Sequence, residues 1–210
     1  MDLVTWLTFV AASTALLLIP GPTVLLVLAY ALGQGRRIAV PTAVGVATGD
    51  LVAMSASMVG LGALVLASAT LFTALKLVGA AYLVWMGVRM ILSADGNALE
   101  VRAAKGAVGP VAAGWNAAVV TALNPKSIAF FIAFVPQFLR HDASFAGQAA
   151  VLIATFVGLA LINALAYAFL ADRLRGTIQR SSVIRWLTRA GGAALVTMGV
   201  ATATLRRAAG

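Results

Sequence analysis

Gly79-Ala80-Ala81-Tyr82-Leu83-Val84-Trp85-Met86-Gly87-Val88 returns 112 residues later as Gly191-Gly192-Ala193-Ala194-Leu195-Val196-Thr197-Met198-Gly199-Val200, with seven of the ten positions identical. Two further pairs fall in the same order along the chain. Pro22 and Gln34 are twelve residues apart, as are Pro125 and Gln137, and Gly45…Asp50 is answered by Gly158…Asn163. Any one match among abundant Ala, Gly, Leu and Val is weak. Three together in the same order imply a duplicated three-helix unit, residues 1–108 and 109–210. A unit with an odd number of crossings reverses its second copy, so the copies insert in opposite orientations. Inverted repeats of this kind are a recurring device of secondary transporters.

The composition puts these repeats in a bilayer. The 210 residues are 62% hydrophobic and only 10% charged, with a mean hydropathy of +1.01. A soluble domain has about 45–50% apolar and about 25% charged residues. Six apolar stretches run roughly over 4–32, 39–66, 70–93, 111–138, 146–171 and 185–205, and a bilayer crossing needs about 20 residues. Several are longer than one straight crossing, which implies tilt or breaks. The runs are continuously apolar with no period-2 alternation, which excludes a membrane β-barrel. The expected fold is an all-α integral membrane protein of six transmembrane helices, arranged as two inverted three-helix repeats. Met1-Asp2-Leu3-Val4-Thr5 lacks the positive start of a cleaved signal peptide, so the first helix is expected to be retained.

The excess of positive charge gives the expected orientation. Arg36, Arg37, Arg89, Arg102, Lys105, Arg173, Arg175, Arg180, Arg185 and Arg189 fall on one side, and only Arg140, Arg206 and Arg207 on the other. The positive-inside rule then places both termini outside the cytoplasm of a multi-pass protein. The net charge of +9 is mostly a topology signal, and no nucleic-acid partner is expected. A polybasic lipid-binding site in 172–189 is the lesser alternative.

Polar groups are costly in hydrocarbon and usually mark function. Pro20-Gly21-Pro22 lies deep in the first helix and Asn124-Pro125-Lys126 deep in the fourth. Proline lacks an N–H and its ring clashes with the preceding turn, so helices one and four are expected to be broken. Their freed carbonyls must find partners in protein or water. Asp50 falls about 16 Å into a core of about 30 Å, from the ~1.5 Å rise per residue. A carboxylate there must be paired or protonated, which suits proton coupling, and Lys76 or Lys126 is its candidate partner. Lys126 is near mid-depth, whereas Lys76 is shallower and can snorkel outward. A buried lysine attracts the carboxylate of a zwitterion, while Asp50 or a freed carbonyl takes its amine. Tyr82, Asn163 and Tyr167 are weaker candidates, equally suited to interhelical hydrogen bonds. Gly45, Gly49, Gly60 and Gly62 are expected to permit close packing, and Phe130, Phe131 and Phe134 to fill core or meet lipid.

The same set excludes several chemistries. The chain has no cysteine and one histidine, His141, in a loop. That leaves no cluster for a transition metal and no intramembrane base for a serine nucleophile. No glycine loop precedes a Lys-Ser or Lys-Thr pair for ATP. No enzyme activity and no cofactor are expected.

Together, Ile19-Pro20-Gly21-Pro22, Gly45 through Gly49-Asp50, Lys76-Leu77-Val78-Gly79-Ala80-Ala81-Tyr82-Leu83 with Gly87, and Leu123-Asn124-Pro125-Lys126 resemble the LysE/RhtB amino-acid exporters. The motifs cover residues 4–138, and the six-helix layout matches throughout. The resemblance implies efflux of amino acids or close analogues across the bacterial inner membrane by proton antiport, with sodium the other candidate ion. It implies that Pro20, Gly21, Pro22, Asn124, Pro125 and Lys126 form the hinge and binding site, with Tyr82 and Asn163 beside them. Asp50 would couple protons, with Lys76 as its alternative partner. An exporter of another small solute or cation, and a non-transporting membrane scaffold, remain the rival readings. Small-residue faces pack equally well within and between subunits, so a homo-oligomer stays open.

Overall fold

A computed structural model describes residues 1–94, 108–140, 142–178 and 181–204. Arg102, Lys105, His141, Arg180, Arg206 and Arg207 lie outside the described residues, as do the side chains of Arg36, Arg173 and Arg175. All the regular structure described is helical. Helices α1 (Leu3–Leu18) and α2 (Pro22–Gln34) share the first apolar stretch. Helices α3 (Ala39–Ala67) and α4 (Ala69–Ser93) take one stretch each. The fourth stretch is divided between α5 (Pro110–Ala122) and α6 (Pro125–Ala133). Helices α7 (Phe145–Ile178) and α8 (Ser181–Thr204) complete the chain.

Segments Ala39–Leu64, Ala69–Ser93 and Phe145–Ala171 are each long and apolar enough to cross a membrane alone. The α1–α2 pair, bent by 57°, and the Pro110–Ala122 plus Pro125–Phe138 pair, bent by 45°, are each long and apolar enough together, as a broken span or a re-entrant loop. That makes three to five crossings by length and composition. Helix α8, read from sequence as the sixth, is 24 residues long but less apolar, with Arg185 and Arg189 in its first half. Both breaks fall at the prolines. Ile19 and Gly21 are extended, with Pro22 opening α2, and Asn124 is extended, with Pro125 opening α6. Proline fits the first turn of a helix because no intrahelical acceptor awaits its N–H there.

Small residues decide how closely the helices meet. On α3, a methyl group on Gly45 would overlap the carbonyl of Gly114 on α5, and one on Gly49 would meet Ala118 and Thr121. Residue numbers rise together across this contact, so α3 and α5 run parallel. Helix α4 packs most extensively on α8. There a methyl on Gly87 would lie 2.5 Å from Gly192 O, and one on Gly199 would lie 2.7 Å from Ala80 O. Numbers rise on one helix as they fall on the other, so α4 and α8 are antiparallel. Gly62 meets only the ring of Phe145, and Gly60 has open space around it.

The burial pattern is that of a membrane protein, with apolar groups outside and polar groups within. Val44, Val59, Trp85, Val111, Trp115 and Trp186 are exposed, while Asp50, Asn124 and Lys126 are buried. Phe130, Phe131 and Phe156 form a core cluster, with Phe131 edge-on to Phe156 at 4.8 Å. At the end where the chain begins, Asp2 caps α1 by accepting Thr5 N–H at 2.8 Å, and Arg140 pairs with Asp142. These hydrogen bonds hold the Asp2 and Asp142 carboxyls below their ordinary range.

Candidate functional site

The site begins with the carbonyls that the first break sets free. In a continuing helix Leu16 O and Leu18 O would accept from residues 20 and 22, but both are prolines without an N–H. The turn away from helical geometry at Ile19 also releases Leu17 O and Ile19 O, while Leu16 O still accepts Ile19 N–H at 3.2 Å. Side chains from two other helices meet all four. Lys126 Nζ donates to Leu16 O and to Ile19 O, at 3.0 Å each. Asn163 Nδ2 donates to Leu17 O at 3.2 Å, and the Tyr167 hydroxyl donates to Leu18 O at 3.3 Å. Asn163 and Tyr167 are four residues apart on α7, which puts both on one face. The lysine chain runs alongside Gly21, where a methyl would lie in ordinary contact at 3.4 Å from Lys126 Nζ.

The second break faces the first. Asn124 Oδ1 caps α6 by accepting Lys126 N–H at 3.1 Å, and its Nδ2 donates to Thr23 Oγ1 at 3.2 Å. Thr23 and Thr121 share a hydrogen bond of 3.2 Å. These contacts join the start of α2 to the end of α5, so the two breaks act as one polar unit.

Between them lies a cavity of about 30 Å³ whose polar lining is Thr23, Asp50, Asn124, Lys126, Asn163 and Tyr167 with Ser127. That volume holds on the order of two waters. Asp50 is 2% exposed, and its Oδ1 has no hydrogen-bond partner. Among the described residues no ion pair reaches Asp50. Lys126 shares its cavity but spends its hydrogen bonds on carbonyls.

The structure thus brings together Pro20, Gly21, Pro22, Asn124, Pro125, Lys126 and Asn163 at the facing breaks, with Asp50 on the same cavity. Tyr82 and Lys76, both on α4, do not line it; Tyr82 lies against Trp85, with ring centroids 5.5 Å apart. Sequence reasoning passed over Thr23, Thr121 and Ser127. Thr23 follows Pro22, and Ser127 lies two residues after Pro125, so polarity just after each break was the available signal. Ser13, fully buried one turn before Leu16 with an unpartnered hydroxyl, carried no such signal.

A replacement that keeps shape but removes one donor tests this arrangement. Tyr167→Phe removes the side-chain donor to Leu18 O at an exposed contact, and a typical hydrogen bond contributes about 0.5–1.5 kcal/mol. Thermal unfolding of the purified protein is expected to show that loss, and an unchanged midpoint would mean the carbonyl has another partner.

Broken helices that face each other across a buried carboxylate and ammonium define a helical membrane protein of the transporter class. The chain belongs to the LysE type translocator family, whose profile matches residues 14–206. It is 30% identical over 203 residues to the homoserine/homoserine lactone efflux protein of Salmonella typhimurium, covering 97% of this chain and 98% of that one. It is 32% identical over 153 residues to the leucine efflux protein of Enterobacter sp., covering 72% of each. An uncharacterized membrane protein of Pseudomonas aeruginosa is 35% identical over 207 residues, covering 94% of this chain and 95% of that one. No solved structure matches. Members of the family are transporters, not enzymes.

Proposed function

We propose that this chain exports amino acids or close analogues from the bacterial cytoplasm across the inner membrane, by proton antiport with alternating access. The observation that carries the reading is the cavity where a carboxylate, an ammonium and a broken helix's carbonyls converge. An amino-acid zwitterion needs those groups in complementary pairs. Lys126 has three N–H donors, two on carbonyls, so the third is free for the substrate carboxylate. The start of α2, with no side-chain cap at Gly21, adds a positive helix end on the same cavity. Asp50, whose Oδ1 has no hydrogen-bond partner, suits the amine and also carries the exchanged proton. The efflux relatives named for homoserine and leucine support the substrate class.

Alternating access fits two inverted three-helix repeats, 1–108 and 109–210, making six crossings with both termini outside the cytoplasm. The contact between α4 and α8 supports this arrangement. Gly87 meets Gly192 and Val196, while Gly199 meets Ala80 and Val84. At the offset of 112, these pairs exchange into one another, as a twofold relation between antiparallel copies requires. Asp50 and Asn163, matched in the sequence repeat, also share the cavity. The parallel run of α3 with α5 is what the second and fourth of six alternating crossings would give.

Proteoliposomes preloaded with labelled amino acids, homoserine and leucine included, test the proposal under imposed proton or sodium gradients. Release of a subset that follows the proton gradient is the expected result. Silence across the panel from folded protein would remove the amino-acid reading, and release that follows sodium alone would replace the ion.

A further inference from the structure

The carbonyls of Leu16 and Ile19 form half of a cation site, and the protein fills it with its own side chain. The last turn of α1 is the negative end of a half-helix, and in transporters with discontinuous helices such ends, with unwound carbonyls, coordinate the coupling cation. Here Lys126 Nζ takes that place at 3.0 Å from each oxygen. The lysine reaches it from the opposite break and passes alongside Gly21, where a methyl group would touch its ammonium at 3.4 Å. On the same cavity Asp50 presents a buried oxygen with no hydrogen-bond partner. A carboxylate and a cation here balance in charge, and without the cation Asp50 would stand alone in a low-dielectric interior.

We infer that the Lys126 ammonium is the tethered occupant of a monovalent-cation site built from Leu16 O, Ile19 O and the facing carboxylate of Asp50. The wild-type chain therefore takes up no sodium there. Removing the side chain opens the site to a free cation of similar charge and size. Sodium and methylammonium meet that requirement, whereas choline, with its three N-methyl groups, cannot approach both carbonyls. This deepens the transport reading, since it assigns the cation that would otherwise be sodium to the protein itself.

The test reads stability and needs no substrate. Full-length wild-type and Lys126→Ala proteins, purified in detergent, are heated in 100 mM choline chloride, sodium chloride or methylammonium chloride. With a dissociation constant on the order of 10 mM, ligand linkage gives the variant a rise of about 3–6 °C in sodium or methylammonium over choline. The wild type is expected to unfold at one temperature in all three salts. A variant that folds but ignores all three, or a wild type with the same rise, would overturn the inference. If Lys126→Ala is recovered folded only when purified in methylammonium or sodium, the site is supported. If neither it nor Lys126→Met is recovered at all, the wild type decides. Saturable stabilisation by sodium would then overturn the inference, and indifference to sodium would support it. An efflux panel that stays silent while the variant gains stability from cations would remove the amino-acid reading and leave this site standing.

Discussion

In proteoliposomes carrying Asp50→Asn, an imposed proton gradient is expected to lose its hold on substrate distribution. One pH unit is worth 1.36 kcal/mol per proton, so a one-for-one exchanger sustains about a tenfold substrate ratio for each unit of gradient. Wild-type vesicles should approach that ratio and the variant a ratio of about one. Asparagine keeps the shape of the side chain but has no proton to release. Folding should survive, because Asp50 Oδ1 has no hydrogen-bond partner to lose and no ion pair is broken among the described residues. Lys126 stays in place to hold the substrate carboxylate, so downhill exchange continues and the ratio under a gradient is the quantity to read. A variant that still holds a tenfold ratio per pH unit would take the coupling role from Asp50. The same change also removes the negative charge facing Lys126, so a raised or lowered unfolding midpoint is read separately from flux.

The breaks were legible because they are local. Pro20, Pro22 and Pro125 lack an N–H wherever the chain goes, so the ends of α1 and α5 follow from the sequence alone. The partners of the freed carbonyls were not legible, because they come from far along the chain. Lys126 reaches Leu16 across 110 residues and Asn163 reaches Leu17 across 146. Composition offered two intramembrane lysines and could not say which one turns inward. Lys126 immediately follows the proline of a break, while Lys76 sits in an unbroken helix and lies away from the cavity. Tyr82 belonged to a repeated motif, but the glycines of that motif are there to bring α4 against α8, and the tyrosine packs on Trp85. Hydropathy likewise located α8, but its lower apolarity leaves it outside the helices that are apolar enough to cross by themselves.

Gly45→Ala is expected to unfold much of the protein, while Gly60→Ala on the same helix is expected to stabilise it. The two changes have the same intrinsic effect, since alanine in a helix interior is favoured over glycine by about 0.5–1 kcal/mol. The surroundings reverse the sign at Gly45. A methyl there would overlap the carbonyl oxygen of Gly114, and the obstacle is backbone, which has no rotamer to change. Relief requires α3 and α5 to separate, which also opens the contact of Gly49 with Ala118 and Thr121. Overpacking a close contact costs typically about 1–3 kcal/mol, and backbone against backbone belongs at the upper end or beyond. Around Gly60 nothing lies within 4 Å, so the added methyl meets no neighbour. Thermal unfolding of the purified variants should therefore bracket the wild type, Gly45→Ala far below and Gly60→Ala slightly above. Helix α3 carries Asp50 and α5 leads into the break at Asn124. Any Gly45→Ala protein that does fold should then have lost efflux, because the carboxylate no longer meets the lysine's cavity. Equal midpoints for the two variants would mean that α3 and α5 do not touch at these glycines.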